Sequence, residues 1–188
     1  MIVKILIAVV VIILLLVLVV ATRPSAFRVE RSATIAAPPE RLFDKVNDFR
    51  AWTAWSAYEK KDPDMKRTYG GPPAGVGSTY AWAGDGNVGE GRMTIERSER
   101  PSLVEIKLEF FKPFKGTNKA TLTFAPVAGG TKVNWVMDGR YNFISKGVSL
   151  VMDMDKMIGA DFEASLAELK AQAESGTTAG VGATAAAD

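Results

Sequence analysis

Hydrophobic and polar positions fall into three regimes along the chain. Ile5 to Ala21 is a run of 17 residues built almost wholly from Ile, Leu and Val, with Met1, Ile2, Val3 and Lys4 before it. At 1.5 Å per residue the run makes roughly 26 Å of helix, enough to cross a thin bilayer. An all-round apolar surface leaves no face for water, which argues against a core helix. A secretory signal usually has an apolar stretch of about 7 to 15 residues closed by a small-x-small site. Ala21-Thr22-Arg23-Pro24 is a poor site of that kind, so the expectation is an uncleaved anchor through residues 2–21.

The second regime starts at Phe27. Phe27 to Ala36 is rich in β-branched and small residues and runs into Ala37-Pro38-Pro39-Glu40, where proline can open a helix, so strand then helix is predicted. Leu42, Phe43 and Val46 form a one-sided stripe, and Asp48-Phe49 to Trp55 reads as a second short helix. After Pro63 the period drops to two. Val76, Ser78, Tyr80 and Trp82 share one strand face, as do Met93 and Ile95, then Val104, Ile106, Leu108 and Phe110, then Ala120, Leu122 and Phe124, then Val133, Trp135 and Met137. The intervening residues are mainly charged or hydroxylated, as in an antiparallel sheet with one wet face. Gly/Pro/Asn/Asp clusters at 70–73, 84–87, 100–102 and 128–130 read as turns.

From residue 149 the period changes once more. Val151, Met154, Ile158, Phe162, Leu166 and Leu169 mark the stripe of a long amphipathic helix, with Asp153, Asp155, Lys156, Glu163, Glu168 and Lys170 on its other faces. The order β, two short α, about six β, one long α predicts an α+β domain whose curved sheet wraps the last helix. Three segments follow: an anchor and linker over 1–26, one folded domain over 27–174, and a tail over 175–188 too poor in large side chains to order.

Composition narrows the chemistry. The 188 residues carry 23 Lys plus Arg against 21 Asp plus Glu, too balanced for a nucleic-acid binder. Neither Cys nor His is present, which removes disulfides, Cys/His metal sites, thiol nucleophiles and the imidazole base. No cofactor and no metal are expected. Carboxylates remain, and Glu90, between Gly89 and Gly91, is the weak candidate for acid/base work; a strand-edge bulge with a solvated Glu is the plainer account. Asp138 and Tyr141 could bond a ligand carbonyl or serve a turn, while Asp153 and Asp155 point to different helix faces and make a poor metal site. Gly84-Asp-Gly-Asn-Val-Gly89 lacks the context of a phosphate or calcium loop and reads as a hairpin. Trp52 and Trp55, three apart, nearly share a helix face and either pack the core or close a cavity. Phe110-Phe-Lys-Pro-Phe-Lys115 could dock at a bilayer or turn its rings into the core.

Ile35-Ala-Ala-Pro-Pro-Glu-Arg-Leu-Phe43, Phe49-Arg-Ala-Trp-Thr-Ala-Trp-Ser56, Gly89-Glu-Gly-Arg-Met93 and Gly159-Ala-Asp-Phe-Glu-Ala-Ser-Leu-Ala-Glu-Leu-Lys170 together resemble the START-like helix-grip superfamily. Within it, the chain looks like the bacterial polyketide cyclase/dehydrase and lipid-transport (SRPBCC) branch, Bet v 1-like in fold, with an added N-terminal membrane anchor. The resemblance implies a deep apolar cavity between sheet and C-terminal helix, and brings no universal catalytic residues. Trp82, Met93, Phe110, Phe124, Trp135, Met154, Ile158 and Phe162 all fall on inward faces. An ordinary fold would fill its core with them; a helix-grip fold would line its cavity with them.

Three functions are consistent with this reading: a membrane-tethered binder of a lipid or other hydrophobic small molecule, a cyclase- or dehydratase-type enzyme, and a regulatory interaction domain for a membrane partner. The first is favoured, because it needs no catalytic group. A single-pass protein of the bacterial inner membrane is expected. Lys4 before the run against Arg23, Arg28 and Arg31 after it argues for a cytoplasmic domain. The habit of short N-terminal anchors to export the domain behind them argues for the periplasm, and carries slightly more weight.

Overall fold

A computed structural model describes residues 1–178. The apolar run is helix α1 (Ile2–Thr22), about 32 Å long and exposed along its length apart from Val20. It is long and apolar enough to cross a membrane, a test that a signal sequence also passes. There follow β1 (Ala26–Ile35), α2 (Pro39–Asn47), a 3-10 turn at Phe49–Ala51, α3 (Trp52–Trp55) and a second 3-10 turn at Ala57–Lys60. Six strands come next: β2 (Lys66–Gly70), β3 (Thr79–Ala83), β4 (Glu90–Glu99), β5 (Leu103–Lys112), β6 (Gly116–Val127) and β7 (Gly130–Arg140). The described chain ends with α4 (Phe143–Val148) and α5 (Met154–Thr178).

Proline opens α2 at its first position, and Leu42, Phe43 and Val46 bury its stripe. The indoles of Trp52 and Trp55 then reach back to the end of that helix: Nε1 of Trp52 donates to the Val46 carbonyl at 2.9 Å and Nε1 of Trp55 to the Lys45 carbonyl at 3.3 Å. Carbonyls in a last helical turn have no partner within the helix, so the Trp-x-x-Trp spacing supplies what α2 lacks.

The seven strands form one antiparallel sheet in the order β1-β7-β6-β5-β4-β3-β2, so the first strand pairs with the last. The α+β helix-grip architecture read from the sequence is the one observed, a curved sheet around α5. Phe162 of α5 stacks on Trp135 of β7 with ring centroids 4.1 Å apart and planes 9° apart, and Ile158, Leu166, Leu169 and Ala173 continue the buried stripe. At Gly159 a Cβ would collide with the Arg31 guanidinium, which crosses from β1 there. Arg31 donates to Asp155 at 3.0 Å and to Glu163 at 2.6 Å, one helical turn to either side of the glycine.

Four details depart from the periodicity. Val76 lies in the loop before β3 and is exposed, because that strand begins at Thr79. Val151 stands free at 85 % exposure, since α5 starts only at Met154. Helix α4 had no signal, being six residues with no buried side chain. The expected tail over 175–188 begins inside α5, which runs to Thr178, and the rest of it lies outside the described residues.

Phe162→Ala is expected to cost about 3–5 kcal/mol of stability by leaving a hole against Trp135. Glu163→Ala should cost under about 1 kcal/mol, its side chain being 63 % exposed. Denaturant midpoints of the full chain in detergent check both; equal losses would mean that the exposed ion pair holds α5 as strongly as the ring stack does.

Candidate functional site

Strand register divides the concave face into two halves. Toward the turns at 100–102 and 128–130 the inward side chains are solid core: Val104, Leu122 and Val133 are wholly buried, and Phe124 meets Phe43 of α2 edge-on at 6.0 Å. Toward the other end the side chains part around a cavity of about 400 Å³, within the range of small-molecule sites. Its floor is Trp135 with Phe162, its walls include Trp82, Met93 and Phe110 from the sheet and Met154 and Ile158 from α5. Seven of the eight inward residues singled out above therefore surround one space. Phe124 does not, because α2 plugs its end of the sheet. A depression of about 420 Å³ on the outer face is open and bordered by Glu96, Lys107, Lys119 and Asp138.

Aromatic contacts fix the walls. Trp82 meets Phe110 edge-on at 5.8 Å, and its Nε1 donates to the Val88 carbonyl at 3.0 Å. Trp52 and Trp55, with centroids 4.6 Å apart, both meet Trp135 at 5.8 Å; Trp52 reaches the cavity, and Trp55 is wholly buried behind it. Phe27 and Tyr141 stack at 4.5 Å beside the mouth. Among the described residues the only buried side-chain polar atom with no partner is Nε1 of Trp135. Gly91 contributes by what it lacks, since a Cβ there would strike the Trp82 ring and the Glu109 carbonyl.

The carboxylate that reaches this cavity is Glu59, not Glu90. Glu90 sits at the register shift that opens β4 and pairs with Lys112 at 2.7 Å, away from the lining. Glu59, 7 % exposed on the second 3-10 turn, accepts from Tyr80 Oη at 2.6 Å and from Arg67 Nε at 2.7 Å. Nothing in the pattern Tyr58-Glu-Lys-Lys61 distinguished it from a solvated loop residue. Tyr80 and Leu108, by contrast, stood on faces already assigned inward. Asp138 pairs with Arg28 at 3.1 Å, and Asp155 is engaged by Arg31. No group of three or more acidic side chains able to hold a metal occurs among the described residues.

All four tyrosines hold their protons above the ordinary phenol range, in each case mainly through burial. The Glu59 carboxylate adds to the effect at Tyr80, and Asp161 at Tyr58. In the unfolded chain these phenols ionise near pH 10, so above that pH the unfolded state releases protons that the folded state retains. Stability should fall as pH rises beyond about 10, with the phenolate absorbance band emerging together with unfolding. A native protein whose four phenols titrate at about pH 10 before unfolding would contradict this environment.

The family described as Polyketide cyclase / dehydrase and lipid transport matches residues 26–174. No curated protein matches. Among solved structures, protein CV1439 from Chromobacterium violaceum is similar at 18 % identity and TM-score 0.56, over 80 % of this chain and 99 % of that one. Ara h 8.0201 is similar at 11 % identity and TM-score 0.55, over 80 % and 99 % of the two chains. The di-domain ARO/CYC StfQ from the steffimycin biosynthetic pathway is similar at 9 % identity and TM-score 0.60, over 82 % of this chain and 52 % of that one. At such identities the structures speak for the fold alone. With the family match running from the first strand into the last helix, and with a helix-grip sheet beneath it, the chain belongs to the polyketide cyclase/dehydrase and lipid-transport family.

Proposed function

We propose that the chain is a membrane-anchored binding protein for a hydrophobic small molecule, with residues 1–26 as anchor and linker and 27–174 as the ligand-binding domain. The observation that carries this reading is the cavity over Trp135 and Phe162, walled by aromatic and thioether side chains. Affinity would come from apolar area removed from water, roughly 25 cal/mol per Å². A volume of about 400 Å³ suits a single-chain lipid or a compact polycyclic molecule. Trp82, Met93, Phe110, Trp135, Met154, Ile158 and Phe162 are the proposed contacts. The open interior weighs against a filled regulatory domain, and the length and hydropathy of α1 support single-pass anchoring.

Leu108, half-buried on the cavity wall, offers the test. Leu108→Trp should lower affinity for dansylundecanoic acid at least tenfold with an unchanged melting midpoint, and native mass spectrometry of the full chain in detergent should find an apolar molecule bound to the wild type. Equal probe affinities and an empty wild type would overturn the proposal.

One observation favours a second reading, an enzyme of the cyclase type such as the similarity to an ARO/CYC suggests: the buried Glu59, with Tyr80 and Arg67, faces the same cavity. Glu59→Gln keeps the shape and removes the charge. An enzyme using Glu59 as acid or base should lose about 10²- to 10⁴-fold in turnover of polyketide intermediates from its host, whereas a binder should show no turnover in either form.

A further inference from the structure

Strand register fixes which end of the sheet the cavity opens from, and it is the end at which α1 stops. Ala26, the first residue of β1, pairs with Arg140, the last of β7. Phe110 pairs with Gly116 and Glu90 with Lys112, so the β5–β6 turn lies at that end too. The cavity lining includes Pro113, Phe114 and Lys115 of that turn, Gly86 to Gly89 of the β3–β4 turn, and Tyr141, Asn142 and Ser145 leading into α4. All are loops of the anchor's end. The tether is short as well. Thr22 and Ala26 are four Cα steps apart, at most about 14 Å of chain. Arg23 is extended before Pro24, and Ser25 is pinned by the Tyr141 amide, which donates to its carbonyl at 2.7 Å.

The surface there is apolar where it would otherwise meet water. After α1, nine large apolar side chains are exposed among the described residues, and seven of them stand at this end. Phe111 and Phe114 flank the β5–β6 turn, Phe143 and Ile144 lie on α4, and Val151 and Met152 follow it. Asn142 Nδ2 donates to the Lys115 carbonyl at 3.3 Å, joining the two lips, and α4 itself touches α1. Lys115, Arg140 and Lys146 belong to the same rim, with charge suited to anionic headgroups. Exposed apolar side chains gathered on one face, rather than scattered, mark a docking surface.

We propose that this rim docks on the bilayer that holds α1, so that the cavity mouth opens against the lipid surface and its ligand enters from the membrane. The inference rests on the anchored, ligand-binding reading above, and commits the apolar rim to lipid as its occupant. Phe114 and Met157, which border the cavity as well as being exposed, would sit where the bilayer surface and the pocket meet.

The absence of native cysteine makes the test direct. In vesicles of phosphatidylethanolamine and phosphatidylglycerol, the full chain would carry a nitrobenzoxadiazole label at Phe114→Cys, Ile144→Cys or Met152→Cys, with Ala128→Cys in the turn at the opposite end as control. Rim labels should shift to the blue and be quenched by lipids with a headgroup-depth nitroxide, and the control should do neither. Rim labels that behave like the control would overturn the docking. As a second measurement, the triple variant Phe111→Asp, Ile144→Asp, Met152→Asp, whose side chains are exposed and outside the cavity lining, should take dansylundecanoic acid from vesicles at least tenfold more slowly, with unchanged affinity for it in detergent. Equal uptake rates would overturn entry from the membrane. Failure of the underlying reading is seen separately, as a wild type that binds no probe in detergent or a chain that carbonate extracts from the vesicles.

Discussion

The stack of Phe162 on Trp135 is the contact on which the rest of the domain depends. Trp135 stands midway along β7, and Phe162 lies flat on it, so α5 and the sheet are joined ring to ring at that point. Trp52 and Trp55 meet the same indole edge-on, so sheet, terminal helix and the short α3 converge there. Offset and edge-to-face aromatic pairs add about 0.5–1.5 kcal/mol each beyond the area they bury. Below this node the concave face is packed solid by α2. Above it α2 is absent, only the first turns of α5 and the sheet face each other, and the walls stay apart.

The polar groups respect that division. Arg31 reaches α5 only where a glycine leaves room, and its carboxylate partners face water, so those pairs orient the helix more than they stabilise it. Glu59 is the contrary case: buried, doubly hydrogen-bonded and inside the cavity wall, where losing Arg67 would strand a charge.

How much of this could be read from the residues depends on what each pattern encodes. Alternation of two assigned Trp82, Met93, Phe110 and Trp135 to the inner face, because strand pleat dictates the face. It did not distinguish Phe124 from them, because pleat says nothing about position along the strand, and only the placement of α2 decides whether an inner residue meets a helix or a void. The period of α5 was legible from Met154 on, yet Val151 fitted the same spacing without being in the helix. Glu59 carried no signal at all: its partners are Arg67 on β2 and Tyr80 on β3, set side by side only by the β2–β3 pairing. Glu90 drew attention through its glycine neighbours, but Gly91 makes space for the Trp82 ring rather than for a ligand.

The few residues between α1 and β1 also set how far the domain can travel. A carrier on a long flexible leash can ferry cargo across an aqueous gap, because its reach grows with linker length. Here Pro24 and the pinned Ser25 leave almost no slack. A domain so held, with α1 in a bilayer, would work in cis. It would withdraw molecules from its own membrane and return them to it, or pass them to a neighbour in the same plane, and a second membrane would lie beyond its range.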